Sequence, residues 1–208
     1  MTDDEPLSEA MRGSIGVIVL AAGLSQRMGK VKMLLPWGNT TVIGQVITTL
    51  LSVKLKEIDV VCGGTRPLIE EALQGFPVNI FTNPDYQNGE MLRSLQVGIG
   101  SLKRSILAAL IVLGDQPQIQ ATTIVNVISE YFQTGNKIVV PSYQMRRGHP
   151  WLIDRGLWGQ IEALKSNQTM RDFLKDHQQL IHYFPVDNPS ILQDLDTPED
   201  YERYKPTN

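Results

Sequence analysis

The sequence has little of several features that would place it in a particular class of protein. Its single cysteine, Cys62, excludes an intramolecular disulfide bond. No apolar run approaches the roughly 20 residues that a membrane-spanning helix needs. There is no basic excess either: 19 Lys and Arg residues stand against 22 Asp and Glu residues, and the net charge is −3. We therefore expect a cytoplasmic protein with neither nucleic-acid nor membrane partners.

Common nucleotide-binding motifs are also missing. The turn after the first apolar run carries Gly23 and Gly29, but not with the G-x-G-x-x-G spacing of dinucleotide-binding folds. Cys62-Gly63-Gly64 stands where those folds place an acidic residue. A Gly-Lys-Ser/Thr ending is absent from the turn, and His177 and His182 have no second ligand at a metal-binding interval. These absences disfavour bound NAD, a P-loop ATPase and a histidine metal site.

Apolar runs of strand length alternate with segments of helical periodicity, which predicts β-α units on a largely parallel sheet. The run at 107–113 has no polar alternation, so we expect a central strand that is covered on both faces. Residues 150–153 are expected to return as an antiparallel strand. Residues 1–14 are acidic before any apolar run and are predicted to be a flexible tail, followed by a single domain over residues 15–208.

A small-residue turn follows the first predicted strand, in the stretch V-I-V-L-A-A-G-L-S-Q-R-M-G-K-V-K-M-L-L at 17–35. Glycine and alanine let backbone N–H groups approach phosphate oxygens closely. Arg27, Lys30 and Lys32 supply the positive charge that neutralises a bound anion. The stretch therefore predicts a cradle for a polyphosphate.

Two aspartates stand at positions that suit a metal ion. Asp115 follows the central apolar run in G-D-Q-P, and open α/β sheets bind ligands beyond the carboxyl ends of their strands. Asp196, in D-L-D-T-P-E-D, follows an apolar pair at 191–192 that is expected to form a short edge strand. If the two ends meet, both carboxylates would bind one Mg²⁺ against a triphosphate, because Mg²⁺ prefers oxygen ligands and shares its coordination shell with substrate phosphates.

Each of these features also has a structural explanation. Asp115 is a suitable turn former, and Asp196 a suitable residue for the start of a helix. The polar stretch at 145–149 is either a solvated hairpin or part of a site. The combination of both aspartates with Arg27 and Lys32 favours the metal site.

Four pieces of sequence match one family in order and span nearly the whole chain. They are L-A-A-G-L-S-Q-R-M-G-K-V-K-M-L-L-P at 20–36, N-P-D-Y at 83–86, G-D-Q-P at 114–117, and R-G-H-P at 147–150 with D-L-D-T-P-E-D at 194–200. The chain thereby resembles the molybdenum cofactor cytidylyltransferase group of the glycosyltransferase-like nucleotidyltransferases. The first piece is specific to this superfamily, and the last pair narrows it to the group.

The resemblance implies a Rossmann-like three-layer α/β/α sandwich with a mostly parallel sheet. It also implies Mg²⁺-dependent transfer of CMP from CTP to the phosphate of molybdopterin, with release of pyrophosphate, and a possible client molybdoenzyme. Residue by residue, it assigns Arg27, Lys32 and Asp115 to catalysis, Asp115 and Asp196 to the metal, Ala21, Ala22, Gly23, Ser25, Asn83 and Ser94 to substrate binding, and Gly148 and His149 to the acceptor.

One departure from the family pattern is Arg93, which stands where a small hydroxyl residue is expected before Ser94. It either alters which nucleotide or acceptor is taken, or points to solvent. Two other functions fit the same motifs: a nucleotidyltransferase that acts on a sugar or alditol phosphate, and a non-catalytic protein that carries a cofactor to an apo-enzyme.

Overall fold

The predicted alternation of strands and helices is present in the computed structural model, which describes residues 7–23, 28–88 and 91–207. The strands are β1 (Ile15–Ala21), β2 (Pro36–Trp37), β3 (Thr40–Thr41), β4 (Glu57–Cys62), β5 (Asn79–Thr82), β6 (Ala108–Leu113), β7 (Ile138–Tyr143), β8 (Arg146–Arg147), β9 (Trp151–Asp154) and β10 (Ile181–Pro185). The α-helices are α1 (Glu9–Gly13), α2 (Val42–Ser52), α3 (Arg66–Ala72), α4 (Met91–Ser101), α5 (Ala121–Thr134), α6 (Trp158–Glu162), α7 (Met170–Asp176) and α8 (Pro198–Tyr204).

The main sheet has the strand order β5-β4-β1-β6-β9-β7-β10, with β8 paired to β7. Strands β5, β4, β1 and β6 are mutually parallel, and β7 is parallel to β10. Strand β9 lies between β6 and β7 and is antiparallel to both, as the sequence predicts for this segment. The carboxyl ends of β1, β4 and β6 therefore open on one edge of the sheet, where open α/β sheets bind their ligands.

Side chains of β1 divide between two hydrophobic clusters, one on each face of the sheet. Val17 and Val19 belong to the cluster that includes apolar residues of α2 and α5. Ile18 and Leu20 belong to the cluster that includes apolar residues of α4, α6 and α7. This separation follows from the period-two alternation of a strand that is buried on both sides. The predicted three-layer α/β/α sandwich with a mostly parallel sheet is confirmed.

Some sequence predictions need correction. The described part of the predicted tail is folded: Leu7 is buried, and Ser8 caps the short helix α1. The apolar pair at 191–192 is not a strand but lies in a 3₁₀ turn, Pro189–Leu192. Pro189 begins this turn, at a position where a helix tolerates proline.

No described helix combines the length and the apolar character that crossing a membrane requires.

Candidate active site

The turns after β1 and β6 lie side by side at the carboxyl edge of the sheet. Leu20 pairs with Leu113 across the two strands, and the Gly114 N–H donates to the Leu20 carbonyl oxygen at 3.0 Å. Ala21, the last residue of β1, is buried, whereas Gly23 is exposed at the edge. The described part of the predicted phosphate cradle is thus adjacent to the turn that carries Asp115.

The cradle turn returns to the body of the protein through Gly29 and Met33. Gly29 has a φ of +61°, a conformation that a residue without a Cβ adopts without strain. Met33 is buried in the 3₁₀ turn Lys32–Leu34 and lies against Gly114. This packing fixes the position of Lys32, while Lys30 is exposed. Ser25 and Arg27, which the sequence assigns to the same turn, lie outside the described residues.

Lys32 lies between the two carboxylates that the sequence assigns to a metal ion. Its Nζ donates to Asp115 Oδ2 and, at 3.2 Å, to Asp196 Oδ1. The side chains of Lys32 and Asp115 are only 11% and 14% exposed, whereas that of Asp196 is 52% exposed. Burial alone would lower the pKa of Lys32, but the charges of the two aspartates and the hydrogen bonds to them raise it above its usual value. Lys32 is therefore held as a cation.

The contacts of Asp196 differ from those of a helix-starting residue. Helix α8 is capped by Thr197, whose hydroxyl accepts from the Asp200 N–H while Asp200 accepts from the Thr197 N–H. The preceding Leu195 is buried, and its N–H donates to the Asp115 carbonyl oxygen at 3.2 Å. Asp196 is thus brought to Asp115 by backbone pairing, and its carboxylate faces Lys32 while two other residues cap the helix.

A third carboxylate, Asp194, lies in the same region and was not assigned a role from the sequence. The buried Gln116 side chain donates from Nε2 to Asp194 Oδ1. Burial is the main cause that raises the pKa of Asp194, and the nearby charges of Asp115 and Asp196 raise it further. Both Gln116 and Asp194 stand inside motifs that the sequence presents, but only side-chain geometry reveals that they are in contact.

The predicted acceptor residues Gly148 and His149 form the turn that leads into β9. The His149 N–H donates to the Ile191 carbonyl oxygen at 3.1 Å, and a Cβ at Gly148 would lie 2.4 Å from that same oxygen. The His149 ring stacks on Trp151 with centroids 4.1 Å apart. Burial lowers the pKa of His149 to about 4, despite an opposing hydrogen bond with the Ile111 backbone. The turn therefore holds a neutral imidazole and has no room for a larger residue at Gly148.

Asn83 and Ser94 are brought together, but as a buried pair. Both are almost fully buried, and Asn83 Nδ2 donates to Ser94 Oγ at 3.0 Å. Asn83 Oδ1 also accepts from the Asp85 N–H at 2.9 Å. These contacts connect the loop after β5 to the start of α4, and in the structure both residues position that loop. Their contact with substrate stays a prediction.

The end of β4 carries two glycines, Gly63 and Gly64, in place of an acidic residue because a side chain packs against them. A Cβ at Gly63 or Gly64 would lie within 2.8 Å or 2.5 Å of Tyr86 side-chain atoms, so the phenol ring packs directly over both glycines. Cys62 beside them is buried, and burial raises the pKa of its thiol to about 12. This strand end is therefore filled by packing and offers no carboxylate to a ribose.

Asp115 and Asp196 have the chemistry that a divalent cation requires. Their carboxylate oxygens converge on one positive charge, the Lys32 ammonium. Among the described residues, no group of three or more His, Cys, Asp or Glu side chains is arranged to hold a metal. A divalent ion bound by these two carboxylates would take its other ligands from substrate phosphates and water, as Mg²⁺ commonly does.

The fold and the cluster of Lys32, Asp115 and Asp196 at the carboxyl edge of the sheet fit a nucleotidyltransferase of the α/β class. Within that class, the chain belongs to the family of the MobA-like NTP transferase domain, whose profile matches residues 17–180. The chain is 28% identical to the molybdenum cofactor cytidylyltransferase of Escherichia coli K12 over 198 residues, which are 92% of this chain and 97% of the relative.

Two further relatives are similar over most of their length. The nicotine blue oxidoreductase of Paenarthrobacter nicotinovorans is also 28% identical, over 89% of this chain and 94% of the relative. Among solved structures, Rv0371c of Mycobacterium tuberculosis H37Rv aligns with a TM-score of 0.79 and 27% identity, covering 92% of this chain and 96% of that one. A manganese complex of Rv0371c aligns with a TM-score of 0.76 and 25% identity, over 91% of this chain and 97% of that one.

Proposed function

We propose that this protein transfers CMP from CTP to the phosphate of molybdopterin, in its molybdenum-bearing form, and releases pyrophosphate. The observation that carries the proposal is the Lys32 ammonium held between Asp115 and Asp196 at the end of the phosphate cradle. The family membership supports nucleotidyl transfer in general, and the E. coli relative supports the choice of substrates.

The reaction needs no nucleophile from the protein. An oxygen of the acceptor phosphate attacks the α-phosphorus of CTP, the bond to the bridging oxygen of the β-phosphate breaks, and pyrophosphate leaves with that oxygen. Catalysis then rests on aligning the two substrates and on stabilising the negative charge that develops on the phosphates. Lys32 is placed to stabilise this negative charge, and Arg27 is predicted to do the same.

Asp115 and Asp196 are the residues proposed to hold Mg²⁺. When bound, the ion would neutralise phosphate charge and orient the triphosphate. The manganese complex of Rv0371c supports the use of a divalent ion at this kind of fold. Lys32 contacts both carboxylates and would supply positive charge beside the triphosphate.

The acceptor half of the site is proposed at Gly148 and His149. The pKa of His149 is lowered to about 4, so its ring is neutral at physiological pH and does not add a third positive charge. A neutral imidazole stacked on Trp151 suits a flat, uncharged ring system better than a second polyphosphate. This supports a pterin-type acceptor.

The test is a pyrophosphate-release assay that pairs CTP, GTP and ATP with molybdopterin species and with sugar and alditol phosphates. We expect release only with CTP and molybdopterin, and only with a divalent metal present. Asp115→Ala should abolish it while the protein stays folded. Asp187→Ala, which changes an exposed aspartate outside the site, is the matched control and should turn over normally.

The same assay separates the competing functions. Turnover of a sugar phosphate alone would contradict the pterin assignment while keeping nucleotidyl transfer. Binding of CTP in a thermal-shift experiment without any pyrophosphate release would indicate a carrier protein instead. Because the nicotine blue oxidoreductase is as similar as the cytidylyltransferase, nicotine blue turnover is measured in parallel and is expected to be absent.

A further inference from the structure

The side chain of Gln116 connects three parts of the candidate site. It follows Asp115 directly, it is 2% exposed, and its Nε2 reaches two acceptors. One is the Ile191 carbonyl oxygen, at 3.3 Å, and the other is Asp194 Oδ1. Both hydrogens of the amide nitrogen are thereby used, and both acceptors belong to the segment 189–196.

These two acceptors link the two halves of the site. The Ile191 carbonyl also accepts from the His149 N–H at 3.1 Å, so one oxygen joins Gln116 to the acceptor turn at 148–149. Asp194 stands two residues before Asp196, whose carboxylate contacts Lys32. The Leu195 N–H, between them, donates to the Asp115 carbonyl oxygen. Movement of the Gln116 amide would therefore disturb the carboxylate pair and the acceptor turn together.

We propose that Gln116 is a positioning residue that sets the distance between the Asp115–Asp196 pair and the acceptor turn. The proposal rests on the proposed function, because it concerns the alignment of the two substrates. Gln116 acts through Ile191 and Asp194 and has no part in the chemistry itself. In-line attack between two separately bound substrates depends steeply on their alignment, so a small loss of register costs much of the rate.

The Gln116 amide places one nitrogen donor within reach of both acceptors. Glutamate in place of Gln116 would set a carboxylate against the Ile191 carbonyl and the Asp194 carboxylate. Methionine has a similar shape but no donor, so Gln116→Met removes both hydrogen bonds and leaves the packing nearly intact. Gln118 is the matched control, because its Nε2 donates to the same segment but to a different acceptor, the Gln193 carbonyl oxygen at 3.3 Å.

Two measurements test the proposal. The first is amide hydrogen exchange by NMR in the full chain without ligands. Gln116→Met should speed exchange at the His149 and Leu195 amides, whereas Gln118→Met should leave both unchanged. Equal protection of these two amides in Gln116→Met and wild type would overturn the proposal, whatever the activity of the enzyme.

The second measurement is steady-state kinetics well below the unfolding temperature. Gln116→Met should lower kcat by about tenfold or more, with the KM for CTP changed by less than about threefold, because CTP is proposed to bind mainly at the cradle after β1. Unchanged kcat together with faster exchange would assign Gln116 a structural role only and would also overturn the proposal. If the wild type releases no pyrophosphate with any pair, the proposed function fails, and the exchange experiment alone decides whether Gln116 couples the two segments.

A second variant covers the case in which Gln116→Met does not fold. Gln116→Asn keeps the donor but shortens its reach by one methylene group. It should show the same two effects, faster exchange at His149 and Leu195 and a lower kcat. Wild-type values for both would contradict the proposal.

Discussion

Lys32 and Asp196 are 164 positions apart in the sequence, and their side chains meet at 3.2 Å. The same ammonium contacts Asp115, 83 positions away from it. Three segments that are distant in sequence, the cradle after β1, the turn after β6 and the segment before α8, therefore converge on one positive charge. The convergence places a cation at the carboxyl edge of the sheet.

Replacing Lys32 tests what that charge does. Lys32→Met keeps the length of the side chain but leaves Asp115 without its buried counter-charge, so we expect a loss of about 1–3 kcal/mol in the free energy of unfolding. Pyrophosphate release should fall by about 100-fold or more, because charge on the phosphates is no longer stabilised. Lys30→Met is the control: Lys30 is exposed on the same loop, and its loss should change stability by less than about 0.5 kcal/mol. Wild-type activity in Lys32→Met would remove Lys32 from the mechanism.

Replacing Gly148 tests the acceptor turn. In Gly148→Ala the new Cβ would lie 2.4 Å from the Ile191 carbonyl oxygen, and backbone must shift to relieve the contact. We expect a loss of roughly 1–3 kcal/mol in chemical denaturation, together with a raised KM for the acceptor. Gly159→Ala is the matched control, since Gly159 stands in helix α6 and nothing lies within 4 Å of the Cβ that alanine would add there. That change should stabilise the protein by about 0.5–1 kcal/mol. Equal effects of the two substitutions would argue against a tightly packed acceptor turn.

Replacing Arg93 tests the departure from the family pattern. Its Nε donates to Asp85 Oδ2 at 2.9 Å, and both side chains are about half exposed, so the ion pair contributes only about 0–1 kcal/mol to stability. We expect Arg93→Ser to leave the unfolding temperature nearly unchanged but to alter the ratio of kcat/KM for CTP to that for GTP. Asp85→Asn breaks the same ion pair from the other side. A change of preference in Arg93→Ser alone would indicate that the guanidinium contacts substrate, and no change in either variant would assign it to the surface.

The strands and the largely parallel character of the sheet could be predicted because a buried strand has an apolar sequence of recognisable length. The antiparallel return at β9 and the coverage of β6 on both faces both follow from that patterning. The sequence predicts a short strand at 191–192, where the structure has a 3₁₀ turn, because two adjacent apolar side chains fit either structure. Its Pro189 and the Asn188 side chain, which accepts from the Ser190 N–H, favour the 3₁₀ turn.

The candidate site could be predicted only in part, from residues whose combination suits one kind of chemistry. Asp115 and Asp196 could be proposed as partners because paired carboxylates suit a metal ion. That Lys32 lies between them could not be predicted, since no local pattern fixes contacts across 83 and 164 positions. The contacts of Gln116 cannot be predicted for the same reason: a glutamine has no preferred chemistry, and only the fold brings its two acceptors to it.

The pH dependence of stability tests the burial of His149. Its pKa is lowered to about 4 in the folded protein, while an unfolded histidine has a pKa of about 6.5. Between these two pKa values the unfolded state binds a proton and the folded state does not. The free energy of unfolding is therefore highest above about pH 6.5 and falls as the pH drops towards 4. The loss at pH 4 should be about 2–3 kcal/mol. His149→Phe keeps a ring over Trp151 but cannot take up a proton, so its free energy of unfolding should fall less steeply over this range in urea titrations. His177→Gln retains His149 and should keep the steep fall; equal slopes in wild type and His149→Phe would show that His149 is not held neutral by the fold.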